Sequence, residues 1–137
     1  MEKSIWINLP VNNIEKSKAF FKAIGFSFNS DKDNDVMACM TVIPNSAVVM
    51  LFEASVLKTF IQTEITDTSQ SVEMIISFDA SNREEVDILA ENVLKAGGNL
   101  FSAPAESHGW LYGCAFADLD GHRWNILYRD LSKLTKK

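Results

Sequence analysis

His108-Gly109-Trp110-Leu111-Tyr112-Gly113-Cys114-Ala115-Phe116-Ala117-Asp118-Leu119-Asp120-Gly121-His122-Arg123-Trp124-Asn125-Ile126-Leu127-Tyr128-Arg129-Asp130 is the stretch whose reading decides the fold. Trp110 to Phe116 reads as a strand, Asp118 to Gly121 as a tight turn, and Arg123 to Tyr128 as the closing strand of a hairpin. Asp-Gly favours such a turn because Gly accepts positive φ and the Asp carboxylate can bond its own backbone. In the closing strand Trp124, Ile126 and Tyr128 fall on one face, and Asn125, Leu127 and Arg129 on the other, as a period of two requires. One face is expected to pack on helices and the other to line something.

Working outward, Val72 to Phe78 reads as a strand, followed by a helix whose apolar side is Val86, Leu89, Val93 and Leu94 and which Gly97-Gly98 terminates. Ser81 and Glu84 have capping-box spacing ahead of it. The first half repeats this order. Ile5, Ile7, Leu9 and Val11 alternate with Trp6, Asn8 and Pro10, a half-buried strand that Pro10 puts near a strand end or an edge. Asn13 then caps a helix carrying Ile14, Ala19, Phe20, Phe21 and Ile24, which Gly25 stops. After a polar turn near Asn29 to Asp35, the apolar runs Val36 to Ile43 and Ala47 to Ala54 form a hairpin around Pro44-Asn45-Ser46. Residues 55 to 70 read as a surface connector, with a ligand-covering lid as the alternative role.

The halves also match in detail. Lys22-Ala23-Ile24-Gly25 parallels Lys95-Ala96-Gly97-Gly98, and Met50-Leu51-Phe52 parallels Asn125-Ile126-Leu127. Such a repeat implies duplicated units that bury their apolar faces together. The domain expectation is one domain over 1–137, with module one over about 1–58, a linker over 59–70, module two over 71–130 and a tail over 131–137.

Asp118-Leu119-Asp120-Gly121-His122-Arg123-Trp124, together with Asn8-Leu9-Pro10-Val11-Asn12-Asn13-Ile14-Glu15-Lys16-Ser17 ahead of Phe20-Phe21 and Gly25-Phe26, resembles the vicinal oxygen chelate superfamily. This group comprises the glyoxalase, bleomycin-resistance and extradiol-dioxygenase relatives. The resemblance implies an α/β (α+β) fold of two βαβββ modules whose strands form a curved mixed sheet around a central cavity, with the helices outside. It also implies a homodimer, because such proteins commonly complete their sites between chains.

Metal-dependent members place inward His, Glu or Gln ligands on the first and last strands of each module. Counting from the motifs, those positions fall here on Trp6, Met50, Glu73 and Asn125. Trp has no lone pair to donate, a Met thioether suits soft ions, and an Asn amide oxygen is weak beside carboxylate or imidazole. One carboxylate does not make a catalytic site that normally needs about three protein ligands. His108 and His122 occupy none of these positions. The expectation is therefore a metal-free protein without a cofactor.

The expected inward set is Trp6, Asn8, Met50, Phe52, Glu73, Ile75, Asn125 and Leu127, joined by Trp110, Tyr112 and Cys114 from the adjoining strand. An apolar, aromatic lining with few polar groups is the usual composition of a small-molecule site; a closed core made of the same residues is the competing reading. Glu73 weighs against that core, since an inward carboxylate is costly to desolvate unless a donor or a cationic ligand meets it. The function expected is the binding of an aromatic or cationic amphipathic compound, with Glu73 as anchor. The alternative is a glyoxalase-like lyase or isomerase, with or without a divalent metal, using Glu73 as a general base of raised pKa.

Composition narrows the remaining classes. A net charge of −5 disfavours nucleic-acid binding, and Lys133, Lys136 and Lys137 form the only basic run, read as a solvated tail. No apolar run reaches bilayer length and no secretory pattern opens the chain, so a cytoplasmic protein without membrane partners is expected. Cys39 and Cys114 lie in apolar strand patterns and read as small buried side chains. His108, in a Gly-containing loop, reads as solvated.

Overall fold

The computed structural model describes residues 5–29, 33–43 and 47–134. The Pro44-Asn45-Ser46 turn, residues 30–32 of the polar turn, and Lys136 and Lys137 lie outside these described residues. The chain divides into two compact units, Met1–Asp67 and Thr68–Lys137.

The first unit runs β1 (Trp6–Val11), α1 (Ile14–Ala23), β2 (Ser27–Phe28), β3 (Met37–Ile43), β4 (Ala47–Glu53) and α2 (Ala54–Ile61). Its sheet has the order β1-β4-β3-β2, with β1 parallel to β4 and the other pairs antiparallel. The second unit runs β5 (Ile75–Asp79), α3 (Arg83–Lys95), β6 (Asn99–Ser107), β7 (Leu111–Ala117), β8 (Arg123–Arg129) and a 3-10 turn at Leu131–Lys133. Its order is β5-β8-β7-β6, with β5 parallel to β8. Each unit is thus βαβββ with the same strand order, and the fold is the mixed α+β architecture expected from the duplicated sequence.

The two helices that cover these sheets start and stop by the same devices. Asn13 Oδ1 accepts from the Lys16 amide at 2.9 Å, and Asn82 Oδ1 accepts from the Glu85 amide at 2.8 Å. The cap of α3 is therefore Asn82 and not Ser81; Glu85, not Glu84, reaches back, its carboxylate accepting from the Ser81 amide at 3.0 Å. The chain leaves α1 through Gly25 (φ 110°) and α3 through Gly97 (φ 92°), a left-handed step that glycine takes without strain. Behind these closures the Phe26 and Gly98 amides return to the carbonyls of Phe21 and Val93, each at 2.9 Å.

Apolar faces then close each core. In the first unit Leu9, Val11, Val49, Leu51, Ala38 and Met40 are buried with Ile14, Phe20 and Phe21 of α1. In the second, Phe78, Trp124, Ile126, Cys114 and Phe116 are buried with Val86, Ala90 and Val93 of α3. The Trp124 ring stacks on Phe116 and meets Phe78 edge-on, both at 6.3 Å between centroids. Cys39 and Cys114 are buried free thiols.

The decisive turn owes its form to a buried carboxylate. Asp118 Oδ1 accepts from the amides of Asp120 (2.9 Å) and His122 (3.1 Å), while Oδ2 accepts from the Trp124 indole N–H at 3.0 Å. One side chain satisfies two turn amides and the one polar atom of the core tryptophan, so the Asp-x-Asp-Gly-x-x-Trp spacing is a structural requirement of the hairpin. Burial pushes the Asp118 carboxyl up, while His122 and the Trp124 hydrogen bond pull it down. Gly121 (φ 89°) lets the Thr68 carbonyl approach, and the Thr68 hydroxyl donates to the Asp120 carbonyl.

Residues 55 to 70 depart from the expected connector. Ala54–Ile61 form helix α2, begun by Glu53, whose carboxylate accepts from the Ser55 amide, and ended by Gln62 in the left-handed region (φ 55°). Leu57 is buried beneath it, and Phe60 packs edge-on to Phe52 at 5.4 Å. Its short apolar pattern is one turn too brief to declare a helix by periodicity, and tertiary packing supplies the stability a lone eight-residue helix lacks.

Candidate ligand-binding site

Each sheet has one face buried against its helix and one open face, and strand parity decides which residues share the latter. In the first unit Asn8 is the cross-strand partner of Met50, Pro10 of Phe52, Trp6 of Val48, and Cys39 of Met50. Trp6, Asn8, Met50 and Phe52 are therefore brought together on one face as expected, with Trp6 59% exposed.

In the second unit Ile75 pairs with Arg123, Ser77 with Asn125 and Asp79 with Leu127; Asn125 and Leu127 pair in turn with Ala115 and Gly113. Ile75, Asn125 and Leu127 thus share the open face. Two expected members do not. Tyr112 is the partner of Tyr128 and Cys114 of Ile126, which puts both on the opposite, helix-covered face. Tyr112 donates to Asp87 of α3 at 2.6 Å and lies 4.7 Å from the Arg83 guanidinium. Cys114 is buried there, which pushes its thiol up to about 11. Alternate spacing along β7 puts Tyr112 and Cys114 on one face, but only the register against β8 decides which face that is. Trp110 lies in the turn before β7, where its carbonyl accepts from the Asp130 amide at 2.7 Å. His108, in the same turn, is exposed at φ 54°.

Glu73 also needs correction in its placement. The expected strand from Val72 begins at Ile75, so Glu73 sits in a bend ahead of it and is exposed. Aligning the two helix caps, Asn13 with Asn82, and the two registers, Asn8 to Met50 with Ser77 to Asn125, pairs Trp6 with Ile75. The position equivalent to Trp6 is therefore Ile75, two residues beyond Glu73.

Glu73 nonetheless lines a pocket. Val72, Glu73, Met74, Ile75, Phe101 and Arg123 line a shallow, open depression of about 390 Å³ in the second unit. The half-buried Arg123 holds its guanidinium over the Phe101 ring, 4.4 Å from the centroid. Further along the same face Asp79 and Arg129 form a two-point ion pair at 3.1 and 3.2 Å. Asn125 carries a buried Oδ1 without a hydrogen-bond partner among the described residues.

Arg123 and Phe101 were missed from the sequence. Arg123 was legible, because it has the parity of Asn125 and Leu127 on β8. Phe101 was not, since β6 shifts register twice against β7 and no simple alternation survives.

The donor set does not suit a hard divalent metal. Trp6 and Met50 in the first unit, and Ile75 and Asn125 in the second, offer one thioether and one neutral amide. Among the described residues no group of three or more His, Cys, Asp or Glu side chains is placed to hold a metal ion.

Comparison with known proteins gives the chain a family. Residues 3–42 match the family described as "Bleomycin resistance protein-like N-terminal". A hypothetical protein from S. aureus is similar over 93% of this chain and 94% of its own, at 35% identity and a TM-score of 0.81. A glyoxalase-related enzyme from Fulvimarina pelagi shares the fold at 22% identity (TM-score 0.80, 94% and 89% coverage). The genomically encoded fosfomycin resistance protein FosX from Listeria monocytogenes does so at 18% (TM-score 0.69, 97% and 98%). No curated protein matches. The duplicated βαβββ units, the aspartate-anchored hairpin and these likenesses agree, and the chain belongs to the glyoxalase/bleomycin-resistance family of the vicinal oxygen chelate superfamily.

Proposed function

We propose that this protein binds a small molecule without a metal, and that its ligand is an aromatic or cationic amphipathic compound with Glu73 as the anionic handle. The observation that carries this reading is the pocket of about 390 Å³ around Val72, Glu73, Ile75 and Phe101, a volume within the range of small-molecule sites and lined largely by apolar groups. Metal independence is supported by the chemistry of Trp6, Met50, Ile75 and Asn125, which leaves a hard cation without carboxylate or imidazole.

A thermal-shift screen of aromatic cations against the wild type and Glu73→Gln tests the reading. Stabilisation that is lost in Glu73→Gln is expected. A divalent metal bound near one equivalent per chain, with a metal-dependent rise in melting temperature, would overturn metal independence. The lyase or isomerase reading uses the same carboxylate as a base and predicts the opposite separation: turnover abolished in Glu73→Gln with ligand binding retained.

A homodimer accompanies the proposal. Trp6 at 59% and Phe60 at 62% exposure are large apolar groups that a second copy would cover, and light scattering after gel filtration tests it. No helix among the described residues is long and apolar enough to cross a membrane.

A further inference from the structure

The pocket of the second unit presents two opposite charges that do not neutralise each other. Glu73 and Arg123 both line it, and neither forms an ion pair among the described residues. The contrast with the other arginines is informative. Arg83 is paired with Glu106, and Arg129 with Asp79, while among the described residues the third arginine, Arg123, meets an aromatic ring and no carboxylate. The Phe101 ring takes up one face of its guanidinium, which leaves the in-plane N–H donors of its edge for another acceptor. A planar fork of this kind matches a carboxylate or a related oxyanion at two points.

A ligand bearing only a positive charge would bring that charge beside Arg123, and one bearing only a negative charge would meet Glu73. A ligand carrying both satisfies each wall. We infer that this pocket selects a small amphipathic zwitterion, its cationic group beside Glu73, its oxyanion on the edge of Arg123, and its apolar body against Val72, Ile75 and Phe101. The inference rests on the reading of this pocket as the binding site and adds to it the second anchor and the ligand class.

Three probes of matched body separate the possibilities: 4-(aminomethyl)benzoate, which carries both charges across one ring, benzylamine, and benzoate. Dissociation constants are measured by amide chemical-shift titration on the wild type, Glu73→Gln, Arg123→Gln and Arg123→Lys, with the spectra reporting that each variant is folded. The zwitterion is expected to bind the wild type roughly ten-fold more tightly than either single-charge probe, given two charge-assisted anchors in place of one. Arg123→Gln should bring it down to the level of benzylamine, Arg123→Lys should recover part of the loss, and Glu73→Gln should bring it down to the level of benzoate.

Zwitterion binding unchanged in Arg123→Gln, with benzylamine still dependent on Glu73, would overturn this inference and leave the cationic-ligand reading standing. Benzoate binding most tightly and insensitively to Glu73→Gln would overturn both. So would the absence of any shift at the pocket residues with all three probes.

Discussion

The two units share strand order, helix caps and glycine exits, yet their open faces have different chemistry. In the first unit the open face carries Trp6, Asn8, Met50 and Phe52, with Phe60 of α2 set against Phe52. In the second, the matching strands carry Ile75, Ser77, Asp79, Arg123, Asn125, Leu127 and Arg129, four of them charged or amide side chains apart from the serine. Position by position, Phe52 faces Met37 across the strand pair, whereas its counterpart Leu127 faces Gly113. Duplication preserves what builds the sheet and its helix. The open face, which the scaffold does not need in order to fold, is free to change, and in this chain the charges gather on the second copy.

The largest effect is expected at the hairpin that closes the second unit. Asp118→Ala removes the acceptor for the buried His122 amide and Trp124 indole N–H and for the partly buried Asp120 amide, and should cost about 3 kcal/mol or more, read as a lowered urea midpoint. A loss under about 1 kcal/mol would mean that the turn holds without its carboxylate.

Gly113→Ala tests the difference between the two open faces. A Cβ there would stand 2.5 Å from the Ile126 carbonyl oxygen and 2.6 Å from Leu127 Cδ2, so a loss of about 1–3 kcal/mol is expected. An additional Leu127→Ala change should recover only the part due to the side chain, because the carbonyl remains.

Cys114 offers a pH test confined to the second core. Its thiol ionises at about 11 in the fold against an ordinary 9.0. Below pH 9 both folded and unfolded chains keep the proton. As pH rises from 9 through 11 the unfolded chain loses it first, so stability should decline in that window. The melting temperature of Cys114→Ala should show a shallower decline over the same window, and at pH 8 the wild-type Cys114 should resist thiol reagents until the protein is unfolded.

The smallest effect is also the test of equivalence. Asn13→Ala and Asn82→Ala each remove one cap bond of similar length and should each cost about 1 kcal/mol. A several-fold difference between the two would show that the helices, alike in geometry, are not alike in the load they carry.

Much of the fold was legible because its signals are local. The alternation of Trp124, Ile126 and Tyr128, the Asp120-Gly121 turn, Asn13 as a cap and the Gly25 and Gly97 exits all act within a few residues and appear as expected. The candidate site was legible only in part. Ile75, Asn125 and Leu127 share a face by parity alone, but Tyr112 and Cys114 needed the partner strand's register, and a shift of one residue exchanges the faces. Glu73 was displaced from the strand because a strand's first residue depends on where its neighbour begins to pair, which no local pattern marks. Phe101 was hidden by the two register shifts of β6.

The sequence by itself determined the duplicated order of strands around α1 and α3 and the places where those two helices end, since each of these rests on short-range periodicity and backbone stereochemistry. Only the tertiary structure decided that Arg123 stands over Phe101 in the same pocket as Glu73, and that Tyr112 of β7 turns to Asp87 of α3. These facts depend on which strands pair, and in what register, across contacts far apart in the chain.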